Sequence, residues 1–263
     1  MAARRFVLVS YLRSGTHMLR TALESHPAAF CQTEVFNPDN KILPYPLDTP
    51  VEQVLREHVF KPHPPEVTHA GFVLHAYHPF ALDAWEGLRA NPAWAEVWPR
   101  LDAMDDLKVL HLQRRNLLRR HVSQLVARRS RFWHSWRAGA VDEVTHLDAP
   151  PHPDSVDWHP AERPVVTVDP ERFARDAAEV ERWRRRADDA LGSRPRLVVA
   201  YEDLCADFEG QAERILDFLG LPRAPLRPAV SKLEERPLRE AVSNYDGLRA
   251  RFAGTPLVVH FDE

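Results

Sequence analysis

Two hydrophobic periods alternate along the chain. Short runs rich in Val, Leu and Phe recur at 6–9 (FVLV), 28–33 (AAFCQT), 69–77 (HAGFVLHAY), 107–112 (LKVLHL) and 196–201 (RLVVAY). Each has the length and composition of a buried strand. Helical spacing fills the gaps. Thr16 to Glu24 puts Leu19, Ala22 and Leu23 on one face, and Asn116 to Arg129 sets an apolar stripe (Leu117, Leu118, Val122, Leu125, Val126) against a basic side. Further helices are expected over 51–59, 81–88, 91–104, 170–191, 208–219 and 244–252. The punctuation agrees with these limits. His26-Pro27 stops the first helix, Asp169-Pro170 supplies an N-cap and a first helical proline, and Gly220 with Pro222 closes a late helix.

Strands alternating with helices predict an α/β fold with a central, mostly parallel sheet flanked by helices. In such sheets ligands sit beyond the C-terminal ends of the strands. The loops at Arg13, Glu34, His78, Arg114-Arg115 and Tyr201-Glu202 all follow expected strands, so they can meet in one crevice. The pattern fails between about 130 and 163, a piece holding Trp133, Trp136 and Trp158 with several His and Pro residues. It is too long for a plain connection and too aromatic for a disordered linker. A lid or acceptor-binding insertion within one domain spanning 1–263 is the preferred expectation, against an ordinary irregular excursion.

Composition narrows the class. At 263 residues, with 44% apolar and 28% charged residues, the chain suits one core of an ordinary globular protein. A net charge of −3 gives no pull towards nucleic acid or anionic membrane. Cys31 and Cys205 are too few for a disulfide framework and read as buried free thiols. The apolar run after Arg4-Arg5 is too short for a signal peptide, and no stretch approaches the ~20 apolar residues of a membrane span. A cytoplasmic protein without a membrane span is expected; oligomeric state is not readable.

The chemistry concentrates in the first turn. A strand, the polar loop Tyr11-Leu12-Arg13-Ser14-Gly15-Thr16 and a helix start form an anion-binding geometry. Backbone N–H groups and the positive end of the helix dipole point into the loop, Gly15 permits close approach, and Arg13 adds charge. The same residues also suit a plain helix start. A Walker A loop places a lysine after its last glycine; here the basic residue comes before it. The strand LKVLHL ends in Gln113-Arg114-Arg115, where a magnesium-handling strand carries a carboxylate. Two anionic groups without a metal ligand argue against an ordinary kinase.

These residues carry a resemblance to the sulfotransferases that use 3′-phosphoadenosine 5′-phosphosulfate (PAPS). YLRSGTHML resembles the family's 5′-phosphosulfate loop. Arg115 to Ser123, an Arg and a Ser eight residues apart, is similar to its 3′-phosphate motif. LVVAYEDL with the helix that follows and Gly220-Leu221-Pro222, and NYDGLRARFAGT near the C-terminus, resemble later family segments. The style is closest to bacterial carbohydrate and small-molecule sulfotransferases. The resemblance implies a three-layer P-loop-like fold, PAPS as sulfuryl donor without a required metal, and a carbohydrate or other small-molecule acceptor. It implies nucleotide contacts from Arg13, Ser14, Gly15, Thr16, His17, Arg115, Ser123 and Tyr201. Where relatives read Arg-Lys-Gly in the C-terminal loop, this chain has Phe252-Ala253-Gly254.

Sulfuryl transfer needs an aligned hydroxyl, a base and a stabilised leaving phosphate. Arg13 is expected to stabilise the leaving group. Glu34, after the second strand and matching a family glutamate, is the expected base, with burial beside Phe36 raising its pKa. It also fits a turn cap or an arginine pair. His78, or His75, is the alternative base, although both also suit packing or rim positions. A nucleotide-dependent kinase and a non-catalytic nucleotide-binding module remain the competing functions.

Overall fold

A computed structural model describes residues 3–37, 45–77, 92–130, 135–136, 163–232 and 234–262. The helix expected over 81–88, His78 and most of the expected insertion at 130–163 lie outside the described residues.

Five parallel strands form the central sheet: β1 (Arg4–Ser10), β2 (Ala29–Glu34), β3 (His69–His75), β4 (Lys108–Gln113) and β6 (Arg196–Ala200), in the order β2-β3-β1-β4-β6. A short antiparallel ribbon pairs β5 (Ser135–Trp136) with β7 (Val230–Ser231). The helices are α1 (Thr16–Glu24), α2 (Val51–Val54), α3 (Val97–Asp102), α4 (Leu117–Ser130), α5 (Pro170–Leu191), α6 (Tyr201–Ala206), α7 (Phe208–Leu219), α8 (Leu238–Ala241) and α9 (Tyr245–Phe252).

The three layers follow from strand alternation. Val7, Val9, Phe72, Leu74 and Val109 face one core with α3, α4, α5 and α9. Phe6, Leu8, Val73, Leu110 and Leu112 face the other with α1 and α7. Both sheet faces are covered, which is why the strands read as continuous apolar runs. Local signals set the helix ends. Asp169 accepts the Arg172 N–H at 2.8 Å, and Gly220, at φ 80°, closes α7 with its own N–H on the Leu216 carbonyl at 2.8 Å.

Two helices differ from expectation. The helix over 51–59 begins as α2 but continues as a π-turn over Leu55–Val59, closed by the Phe60 N–H on the Leu55 carbonyl at 2.6 Å. The continuous helix expected over 91–104 is instead a 3-10 turn, Pro92–Trp94, followed by α3. One unbroken helix would put Pro99 in its interior, whereas α3 starts at Val97 and holds Pro99 in the first turn, where a missing N–H costs little.

Candidate active site

The first crossover builds the loop expected to bind an anion. β1 ends at Ser10, and α1 starts at Thr16 with Gly15 as its N-cap at φ 88°. No acidic residue lies in the first turn of α1, so its open N–H groups keep their positive field. Arg13 takes the left-handed conformation at φ 63°, which is costly for a long side chain. Two contacts hold it there. Arg114 Nη1 donates to the Arg13 carbonyl at 3.1 Å, and Arg13 donates from Nε (3.1 Å) and Nη2 (3.0 Å) to Ser123 Oγ on α4. Burial, and then the charge of Arg114, push the Arg13 guanidinium down to about 10. It stays cationic at neutral pH, half-buried, where a charge acts more strongly than in bulk water.

The ring of Tyr201 covers Gly15 so closely that a Cβ there would come within 2.2 Å of Tyr201 Cδ2. Arg114 stacks on that ring, its guanidinium carbon 4.6 Å from the centroid. Arg114 is buried and its Nε has no hydrogen-bond partner. A buried guanidinium in that state is a fitting partner for an anionic ligand. Below the loop, Arg120 donates to Gln124 Oε1 at 3.1 Å, pairs with Asp176, and stands 5.1 Å over the Tyr11 ring. Desolvation lowers it to about 10.

Arg115 and Ser123 are placed differently from each other. Ser123 is buried, and its hydroxyl accepts from Arg13. Arg115 is 61% exposed, bound to Asp203 and 3.8 Å from Glu202. Glu202 accepts the backbone N–H groups of Arg115 and Asn116, both at 3.0 Å, and so caps the start of α4. For Arg115 and Ser123 to grip one phosphate, Arg115 must exchange Asp203 for it.

Glu34 lies within β2 rather than in the loop after it. The pairing of β2 with β3 slips between Gln32 and Glu34, a bulge that re-aims the side chains beyond it. Its Oε1 lies 2.9 Å from His75 Nε2 and 3.7 Å from His17 Nε2, and its Oε2 accepts from Asn37 Nδ2 at 2.8 Å. Burial, opposed by Glu34, pushes His17 below its ordinary value. His75 is buried and its Nδ1 lies 3.0 Å from Ser10 Oγ, which lies 2.9 Å from Thr16 Oγ1. Thus Arg13, Ser14, Gly15 and Thr16 form the loop with Tyr201 of α6 packed over it, His17 follows on α1, and Glu34 is linked to the loop through His75 and Ser10. Sequence reasoning left out Ser10. Its signal was a hydroxyl as the last residue of an otherwise apolar strand. It named Arg114 only as half of a basic strand end.

Cys31 and Cys205 are free thiols, and burial pushes the Cys31 thiol up, out of its reactive range. Among the described residues no group of three or more His, Cys, Asp or Glu could hold a metal ion, and no helix is long and apolar enough to cross a membrane.

A doubly covered parallel sheet with a glycine-capped turn between its first strand and helix defines a P-loop-like α/β protein. The sulfotransferase family model matches residues 6–225, and the chain belongs to that family of enzymes. It is 27% identical to Nodulation protein H of Rhizobium meliloti (strain 1021), over 98% of this chain and 94% of that protein. It is 25% identical to Nodulation protein H of Rhizobium tropici, over 98% and 92%. A solved sulfotransferase from Alicyclobacillus acidocaldarius shares the fold, with a TM-score of 0.50 at 18% identity over 100% of this chain and 95% of that one.

Proposed function

We propose that the enzyme transfers the sulfuryl group of PAPS to a hydroxyl of a carbohydrate or another small-molecule acceptor, giving a sulfate ester and adenosine 3′,5′-bisphosphate. The observation that carries this reading is the contact of Arg13 with Ser123. It fixes a half-buried guanidinium inside the loop at the start of α1, beside the buried guanidinium of Arg114. The donor supplies an activated sulfuryl group on a phosphate leaving group.

The residues act by position and charge. The first-turn N–H groups of α1 and the Thr16 hydroxyl bind phosphate oxygens, while Arg13 stabilises the charge that grows on the departing phosphate. Ser123 keeps its own hydrogen to donate, since Arg13 uses only its oxygen. Glu34 takes the acceptor proton. His75 and Asn37 fix its two oxygens in place, and its 16% exposure leaves it reachable. Gln113-Arg114-Arg115 at the end of β4 offers no carboxylate for magnesium, which favours sulfuryl over phosphoryl transfer.

The test compares thermal shifts with 3′,5′-bisphosphoadenosine and with ATP–magnesium, followed by labelled PAPS against carbohydrate, lipid and phenol acceptors. Stabilisation by the bisphosphate and label transfer are expected. Stabilisation by ATP–magnesium alone would establish the kinase reading instead, and bisphosphate binding without transfer to any acceptor the non-catalytic one.

A further inference from the structure

α5 reaches the loop between β1 and α1 twice, each time through an arginine. In its second turn Asp176 pairs with Arg120 of α4. Arg120 stands 5.1 Å over the Tyr11 ring, and its Nη1 lies 3.5 Å from the Leu12 carbonyl oxygen. Two turns further along α5, Arg184 Nη2 donates to the Arg114 carbonyl at 2.6 Å, and Arg114 Nη1 donates to the Arg13 carbonyl at 3.1 Å. Positions 176 and 184 differ by only ~80° around a helix, so both arms leave one face of α5. They arrive at successive residues of the loop, the first arm at Tyr11 and Leu12 and the second at Arg13. Among the described residues Arg13 is the one non-glycine with a positive φ.

Stability explains the first arm poorly. Arg120 and Asp176 are 0% and 1% exposed, and a buried ion pair often holds a fold together no better than apolar side chains of the same volume. This pair is also incompletely satisfied. Arg120 Nε, Asp176 Oδ1 and the Nε2 of the neighbouring His121 have no hydrogen-bond partner, which is costly in a buried place. The arm does supply a fixed guanidinium under the loop, aimed by Asp176 and by Gln124 Oε1 at 3.1 Å. A left-handed backbone at a long side chain persists only where its surroundings over-determine it. Arg120 does this from the Tyr11-Leu12 side, and Arg114, itself held by Arg184, does it at the Arg13 carbonyl. With the backbone so set, Arg13 presents Nε and Nη2 to Ser123 at 3.1 and 3.0 Å.

We propose that Asp176 and Arg184 are positioning residues for Arg13: through Arg120 and Arg114, α5 holds residues 11–13 in the conformation that aims the Arg13 guanidinium across the site. Neither acts on a ligand directly. Asp176 is buried in the core, and the Arg184 head is committed to Glu181 and the Arg114 carbonyl. The effect on rate rests on Arg13 acting at the leaving phosphate, as proposed above; the effect on geometry does not.

The geometry is read without any ligand, from hydrogen exchange of the Arg13 Nε–H in nitrogen-15 NMR at mildly acidic pH, the signal being assigned by its loss in Arg13→Lys. Arg236 Nε–H, which donates to Glu234 at 3.0 Å outside both arms, is the control. Arg120→Met combined with Asp176→Leu replaces the first arm by apolar side chains and should keep the urea midpoint close to that of the unaltered protein. Arg184→Met cuts the second arm at a partly exposed position and carries the same test should the buried pair not fold. Each is expected to speed exchange at Arg13 by about tenfold or more and leave Arg236 unchanged. Each should also lower kcat with labelled PAPS by about tenfold or more, the scale of a small misplacement of one catalytic group. In an Arg13→Ala background the same substitutions should change kcat by less than about twofold, because the group they position is gone. Unchanged exchange at Arg13, equal acceleration at Arg236, or the same fall in kcat in both backgrounds overturns the proposal. Failure of the folded, unaltered enzyme to transfer label to any acceptor overturns the donor reading instead, and the exchange rates then decide by themselves whether the two arms hold Arg13.

Discussion

The ring of Tyr201 occupies the space that a side chain on Gly15 would need. A Cβ at Gly15 would meet Tyr201 Cδ2 at 2.2 Å and Cε2 at 2.6 Å, and the backbone there has φ +88°. Gly15→Ala therefore meets two penalties, a positive φ and an overlap, each about 1–3 kcal/mol. Denaturant unfolding should show their sum, a loss of about 2–6 kcal/mol, and nucleotide-induced thermal shift should vanish. Adding Tyr201→Ala should return the overlap part of the stability but not the part due to φ.

Arg13 reaches Ser123 across the site with two donors, from Nε and Nη2. Lysine keeps the charge and cannot make that fork. Arg13→Ala is expected to lower kcat by about 10²–10³-fold, the usual effect of removing one preorganised donor to a developing oxyanion. Arg13→Lys should fall between. Steady-state rates with labelled PAPS separate the two.

Glu34→Gln keeps the shape of the side chain and removes its basicity. Turnover should drop by about 10²–10⁴-fold while bisphosphate affinity changes little. Unchanged turnover would remove Glu34 as the base and return attention to a histidine.

The strands and most helices were legible because both sheet faces are buried and the ends carry Pro27, Asp169 and Gly220. Local rules also exposed the loop at Arg13. What the sequence hid is lateral. Glu34, His75 and Ser10 are neighbours only because β2, β3 and β1 lie side by side, and strand order is not a property of any one segment. Periodicity alone left His75 as a packing residue. Arg13 and Ser123, 110 positions apart, meet for the same reason. The bulge that brings Glu34 into β2 changes its direction without leaving a pattern in composition. Family resemblance linked Arg115 with Ser123, but it could not show that Asp203 already holds Arg115.

Buried histidines should set the acid limit of stability. Burial pushes His111 down to about 4, and burial with the nearby Arg120 charge pushes His121 down to about 3. Asp176, 2.7 Å from His121, pulls the other way but is shared with Arg120, so the downward direction stands. In the unfolded chain both titrate near ~6.5. Below that value the unfolded state binds protons that the folded state refuses, so stability is full above ~6.5 and falls as pH drops towards the folded values. Each histidine contributes a slope of up to about 1.4 kcal/mol per pH unit in that window. Urea midpoints should decline from near neutrality, and His111→Gln should flatten part of the decline.

Asp203 competes with any phosphate for Arg115. The pair is exposed, 61% and 41% at its two side chains, so breaking it should change stability by no more than about 1 kcal/mol. Its effect on binding should be larger. Asp203→Ala frees the guanidinium and removes a negative charge from the expected 3′-phosphate position, so affinity for 3′,5′-bisphosphoadenosine should rise several-fold. Arg115→Ala should weaken it by about tenfold or more, the scale of one charge-assisted contact. The discriminating control is adenosine 5′-monophosphate, which has no 3′-phosphate and should bind both variants like the unaltered enzyme. If Asp203→Ala shifts both nucleotides equally, the effect is general electrostatics. Arg115 would then not read the 3′-phosphate, which would leave Ser123, with Arg13 already bound to it, as the part of that motif available to do so.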